Sequence, residues 1–240
     1  MADRPEFVWV IEREKVFTQK ITPYGFFEYQ LSTFGGTFEH LLEDAFFMER
    51  AHAEMNPQYK QIIPYIIVNT EHGMVETMDE KTYPTFVYQR TPKGQESRLH
   101  NMFSIGIGGH INPEDAHEDN LWTFVNGAMR ELQEELGVVV DGDKEDFVSL
   151  PDQLCEPIGF LNDDSTAVGS VHLGVVCSVL VGEAWIKEED QLVGEFVYPH
   201  QLRVYPKTAI KSKDVMGYEP GEYESWSQFL VDRNEELDVK

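Results

Sequence analysis

Apolar positions along the chain follow two different periods, and the switches between them mark the elements. Residues 7–11 (Phe-Val-Trp-Val-Ile) form a short apolar run that predicts a strand. Phe38, Leu41, Leu42, Ala45, Phe46 and Met48 recur at helical spacing and predict an amphipathic helix over 37–55, stopped by Asn56 and Pro57. Residues 62–69 (Ile-Ile-Pro-Tyr-Ile-Ile-Val-Asn) predict an apolar strand, with Pro64 near its start where proline is tolerated. Residues 84–90 predict another, and the acidic stretch between them, with His72-Gly73, suits a long hairpin connection. A third strand over 101–107 runs into Gly108-Gly109.

The stretch 110–120 is polar and irregular. Leu121, Phe124, Val125, Ala128, Leu132 and Leu136 then mark one face of a half-buried helix over 121–136, with Gly137 placed as its stop. Asp141-Gly142-Asp143 reads as a turn. Strands are predicted over 155–160 and 170–181, a charged loop over 183–191, a last short strand over 192–197 and a C-terminal helix over 222–236. No internal repeat or low-complexity tract interrupts this order. Strands and helices mix, so the expected class is α/β or α+β, with a sheet between helices. Residues 1–57 read as an N-terminal extension packed on a core domain formed by 58–240.

The chain has 240 residues, 19 of them basic and 43 acidic, for a formal net charge of −24. Such a surface repels nucleic acid polymers and anionic membranes at long range. It also repels a phosphorylated small molecule, unless a divalent cation reverses the local field. Cys155 and Cys177 stand apart without a C-x-x-C spacing, which fits buried free thiols. The N-terminal residues lack a signal-peptide pattern, and no apolar run has the length of a membrane span. The expected location is the cytoplasm.

The segment Arg130-Glu131-Leu132-Gln133-Glu134-Glu135-Leu136-Gly137-Val138 carries the chemistry. On a helix Glu131, Glu134 and Glu135 share one face, while Leu132 and Leu136 turn to another. Each like-charge pair costs roughly 0.2–0.5 kcal/mol, and the helix C-terminus disfavours anions further. A solvated acidic face would account for these residues; a magnesium ion, which prefers oxygen ligands, would offset their repulsion. Upstream, Ile105-Gly106-Ile107-Gly108-Gly109 lets backbone come close to a metal or substrate. It is a poor dinucleotide loop, because Asn112-Pro113-Glu114-Asp115 follows where a helix should open.

This arrangement resembles the Nudix box: glycine, five residues, an acid, seven residues, then R-E-aliphatic-x-E-E-x-G-aliphatic. Arg130 to Val138 match the second half without a gap. The first half departs from it. Five residues after Gly109 the chain reaches Asp115 rather than glutamate, and fourteen residues separate Asp115 from Arg130. Leaving seven residues before Arg130 puts Trp122 at the acidic position, so the loop carries about seven extra residues. The blocks Lys60–Tyr65, Ser104–Asn112 and Val171–Gly174 resemble a MutT-like branch of predicted phosphoesterases.

The resemblance implies a Nudix-type α/β/α sandwich with a mixed β-sheet between helices, and a Nudix hydrolase domain over 58–240. It implies magnesium, with manganese as the alternative ion, held by Glu131, Glu134, Glu135 and a Gly109 carbonyl. Arg130 would orient the carboxylates, and Glu131 and Glu134 would act in catalysis. The general base is left among Glu134, Glu188, Glu189 and Glu195. Expected substrate contacts are Arg90 and Arg98 at strand ends, His110, Asp115 and His172, each with a structural role as its alternative. Trp122 and Phe124 could stack on a base or pack in core or lid.

The implied activity is hydrolysis of a diphosphate linkage in a nucleoside diphosphate derivative or similar small phosphorylated metabolite. Isopentenyl diphosphate isomerase chemistry on the same fold needs a reactive cysteine, and neither Cys155 nor Cys177 sits in such a motif. A sensor that binds without cutting would be expected to lose the glutamates, which are all present. Many proteins of this fold dimerise, so a homodimer is a further expectation.

Overall fold

In the computed structural model the described residues are 5–17, 22–29, 37–76, 81–91, 101–140, 150–187, 192–208 and 221–233. In chain order they form β1 (Phe7–Glu12), α1 (Arg13–Val16), β2 (Gly25–Glu28), α2 (Phe38–Leu42), β3 (Phe46–Glu49), α3 (Arg50–Ala53) and β4 (Tyr59–Thr70). Next come β5 (Val75–Glu76), β6 (Lys81–Thr82), β7 (Thr85–Arg90), β8 (Phe103–Ser104), β9 (Gly106–Ile107), α4 (Asn120–Glu135) and β10 (Leu136–Val139). Then follow α5 (Leu150–Leu154), β11 (Gly159–Asn162), β12 (His172–Val181), β13 (Glu183–Ile186) and β14 (Leu192–Val197). The last are α6 (Pro199–Leu202), α7 (Tyr205–Thr208) and α8 (Ser225–Asp232). This is the expected α+β class, with a large mixed sheet of ten strands and helices.

The chain divides into two compact units. The first holds Met1–Ile66, Gly108–Leu132 and Pro151–Cys177; the second holds Ile67–Ile107, Gln133–Leu150 and Ser178–Lys240. The expected extension, 1–57, is thus part of the first unit together with segments from the middle of the chain. β4, α4 and β12 each run through the boundary.

In the first unit the strand neighbours are β2, β11, β12 and β4, with β1 beside the start of β4 and β3 beyond β1. Its apolar cluster gathers Val8, Val10 and Ala53 under Met48 and Tyr59. Phe124 of α4 is fully buried and meets Phe38 edge-on, ring centroids 5.1 Å apart. That assigns Phe124 to the core. A buried cation lies here too: Lys60 Nζ donates to Asp164 Oδ1 at 2.8 Å and to the Gly169 carbonyl at 3.0 Å. In the second unit β7 is flanked by β14 and β4, with β8 also on β7, and β10 pairs separately with β13.

Several elements differ from the periodic reading. The single helix over 37–55 is broken into α2, β3 and α3. Phe46, Phe47, Met48 and Glu49 pair antiparallel with Val10, Trp9, Val8 and Phe7, so the aromatic run is recruited as a strand on β1. Tertiary pairing overrides a spacing that suits a helix equally well. Pro64 lies well inside the twelve-residue β4 rather than near its start. The strand over 101–107 is split into β8 and β9 at Ile105, whose N–H donates to Ser227 Oγ at 3.0 Å instead of to a strand.

The strand expected from 155 begins at Gly159, because α5 occupies 150–154. The charged loop after 183 opens as strand β13. Gly137 does not adopt a left-handed helix stop; it is the second residue of β10. A Cβ there would meet the Trp185 indole at 2.2 Å, so packing demands the glycine. The turn at Asp141-Gly142-Asp143 lies outside the described residues; the C-terminal helix expected over 222–236 is α8, Ser225–Asp232, and the residues after Arg233 lie outside the described ones too.

Candidate active site

Helix α4 places Arg130 and Glu131 beside the glycine pair, all within the first unit. Thr123, Phe124, Val125, Gly127, Ala128 and Leu132 bury its apolar stripe, which fixes the helix rotation and turns Arg130 and Glu131 to the opposite margin. A Cβ on Gly109 would lie 2.4 Å from Glu131 Oε2, and a Cβ on Gly108 would lie 1.7 Å from the Pro64 carbonyl oxygen. The two glycines therefore let the backbone press on β4 from one residue and on a carboxylate from the next.

Arg130 is the hub. Its Nε donates to Asp115 Oδ1 and its Nη2 to Asp115 Oδ2, both at 2.9 Å. Nη1 donates to Glu131 Oε1 at 2.8 Å, and Nη2 also donates to the His110 carbonyl at 2.7 Å. Hydrogen bonding to Asp115, then to Glu131, holds the guanidinium well above its ordinary pKa, against the opposing effect of burial. Asp115, expected as a substrate contact, is 4% exposed and also accepts from the Asn112 N–H at 2.8 Å. The extra loop residues thus deliver an acid to the box arginine. Counting from Gly109 found that acid; nothing in the spacing showed its partner.

Beyond Leu132 the helix continues into the second unit, where Glu134 is exposed and Glu135 half-buried. There the Lys187 N–H donates to the Glu135 carbonyl at 3.0 Å and Lys187 Nζ donates to the Gln133 carbonyl at 3.1 Å. A cation on the last carbonyls offsets both the helix dipole and the acidic turn. No spacing along the chain marks this cap.

His110 and His172 meet, Nε2 to Nε2, at 3.3 Å, and His172 Nδ1 donates to the Val168 carbonyl at 2.7 Å. Burial, then the charge of Arg50, pushes His110 down to about 3; burial also lowers His172. Arg90, at the end of β7, stacks on the Tyr88 ring, its Cζ 5.6 Å from the ring centroid. The Tyr88 hydroxyl donates to the Gly106 carbonyl at 2.9 Å, and burial pushes its pKa up to about 12.

Glu195 is exposed and accepts from the Tyr205 hydroxyl. Trp122 is exposed, its ring 6.4 Å from that of His117. Arg98, Glu188 and Glu189 lie outside the described residues. Both thiols are free, and burial raises the pKa of each, most strongly for Cys177. Neither is primed as a nucleophile.

Among the described residues no three His, Cys, Asp or Glu side chains converge as a ready metal cage. Nor is any helix there long and apolar enough to cross a membrane.

Over 95% of its length the chain is similar to the crystal structure of Tm1382, a proposed Nudix hydrolase, covering 97% of that chain at a TM-score of 0.66 and 24% identity. The chain shares the fold of that structure, and Arg130–Val138 carry the R-E-aliphatic-x-E-E-x-G-aliphatic pattern. It is also 33% identical over 188 residues to protein YmaB of Bacillus subtilis strain 168, a match spanning 77% of this chain and 76% of that protein. The chain belongs to the same family as YmaB. No family model matches it.

Proposed function

We propose that the protein is a divalent-cation-dependent Nudix hydrolase, cutting a diphosphate linkage in a nucleoside diphosphate derivative or similar small phosphorylated metabolite. The observation that carries this reading is Glu131, laid against the Gly109 backbone and held there by Arg130. A carboxylate fixed beside a bare backbone segment is a hard-oxygen donor set of the kind magnesium takes, with manganese as an alternative. Magnesium keeps several waters and shares substrate phosphates, so it needs no complete protein cage.

In this reading Glu131, Glu134, Glu135 and the Gly109 carbonyl hold the cation. When bound, the cation supplies charge neutralisation on the diphosphate and activation of a water for in-line attack on phosphorus. Arg130 keeps Glu131 aimed, and Asp115 keeps Arg130 in place. Glu134, the exposed acid one turn on, is the general base among the acids within the described residues. Arg90 offers a guanidinium for a substrate phosphate.

The test is product release from a panel of diphosphate-linked metabolites, with and without magnesium, beside Glu135→Gln. Metal-dependent cleavage lost in the variant supports the hydrolase and names its substrate class. Tight binding of one ligand without cleavage would replace this reading with a sensor.

A further inference from the structure

The histidine pair stands apart from the carboxylates in chemistry. His172 opens β12 and His110 follows the glycine pair, both in the first unit. The Val168 carbonyl can only accept, so His172 Nδ1 carries the proton and its neutral ring turns a lone pair on Nε2 towards His110. A backbone carbonyl behind one ring nitrogen is the usual support of a metal-ligating histidine. The facing nitrogens are 3.3 Å apart, at the long end of hydrogen-bond distance. Two ligands with bonds of about 2.0–2.1 Å on a tetrahedral zinc stand roughly 3.3–3.4 Å from each other.

The charges around the pair do not forbid a cation. Arg50, Lys60 and Arg130 all act on the two rings. Arg50 is paired with Glu6 and Glu54, Lys60 with Asp164, and Arg130 with Asp115 and Glu131. With Nδ1 of His172 on the Val168 carbonyl, binding asks only that His110 carry its proton on Nδ1.

We propose that His110 and His172 form an open two-histidine site for a zinc-class cation, distinct from the magnesium-type carboxylates of α4. Imidazole donors select zinc, copper or nickel over magnesium. With two protein ligands, the remaining positions belong to water or to an anionic ligand. The site does not depend on the hydrolase reading.

The experiment uses the full chain, stripped with chelator and kept in excess magnesium, titrated with zinc against a chromophoric chelator. One equivalent bound is expected, weakened at least tenfold in His172→Ala and in His110→Ala and unchanged in Glu131→Gln. X-ray absorption on the wild-type protein with one equivalent of zinc should show two imidazole nitrogens, and this readout needs no variant to fold. An all-oxygen shell, or binding that both histidine variants retain, overturns the proposal. Loss in Glu131→Gln alone would place the zinc on the carboxylates and overturn it as well.

Discussion

Arg130 and Asp115 face each other as a fork on a carboxylate, two parallel hydrogen bonds of 2.9 Å each. The arginine is 20% exposed and the aspartate 4%, so this charge pair is largely out of water. Such a pair fixes direction as well as charge, because both ends are planar. It ties the loop after the glycine pair to α4, and the third arm of the same guanidinium reaches Glu131.

Removing the acid should therefore loosen both fold and site. Asp115→Ala leaves a half-buried guanidinium with fewer partners, and breaking a buried pair costs about 3–5 kcal/mol in full burial. The remaining bonds to Glu131 and the His110 carbonyl reduce this to about 2–3 kcal/mol. At roughly 2–4 °C per kcal/mol for a chain of this size, Tm falls by about 5–10 °C. Asp115→Asn keeps the shape and loses less. Thermal melts showing Asp115→Ala as stable as wild type would refute the clamp.

The acidic turn should behave in the opposite way. Glu134 is exposed, and neutralising it removes like-charge repulsion of roughly 0.2–0.5 kcal/mol per neighbour. Glu134→Gln and Glu135→Gln should each keep or slightly raise Tm while kcat falls by about two orders of magnitude or more. Full activity in both variants would end the metal assignment.

How much of this was legible in the sequence depends on where each signal resides. The helix over 121–136 differs by a residue at each end from α4, because its apolar stripe is long and packs as the spacing implies. β4 and β7 were equally plain, as runs buried along most of their length. The segment 37–55 misled because Phe46-Phe47-Met48 satisfies a helical count and a strand equally, and only its pairing with β1 decides. Gly137 reads as a helix stop but sits in β10, since a Trp185 ring against a glycine leaves no local trace. In the site, Arg130, Glu131 and the glycines follow from adjacency. The Arg130–Asp115 fork, the Lys187 cap and the His110–His172 meeting are contacts between distant segments, which no periodicity encodes.

Acid should destabilise the protein earlier than its carboxylates alone would. His110 is held neutral down to about 3, whereas an unfolded-state histidine takes its proton near 6.5. The unfolded chain thus binds the proton first, so the stability contributed by the buried neutral ring is full above about 6.5 and declines as pH falls toward 3. His172, also lowered, acts in the same direction. Discounting for the partial exposure of both rings, the loss between pH 7 and pH 5 is about 1–2 kcal/mol. Urea midpoints at the two pH values read it directly, and His110→Gln should flatten the slope; an equal slope in that variant would assign the effect elsewhere.

The glycine pair separates folding from function within two adjacent residues. At Gly108 the atom a Cβ would strike is the Pro64 carbonyl oxygen, 1.7 Å away, on the backbone of a buried strand. Neither side can give, so Gly108→Ala should lower stability by about 3 kcal/mol or more, in the range of severe core overpacking. At Gly109 the obstacle is the Glu131 carboxylate, 2.4–2.6 Å away and at the end of a side chain that can swing aside. Gly109→Ala should therefore fold with a Tm within a few degrees of wild type, yet lose most metal-dependent turnover because Glu131 is displaced from Arg130. Melting curves and kcat on the two variants test both halves. A Gly109→Ala enzyme with wild-type kcat would show that the approach of Glu131 to the loop is packing alone.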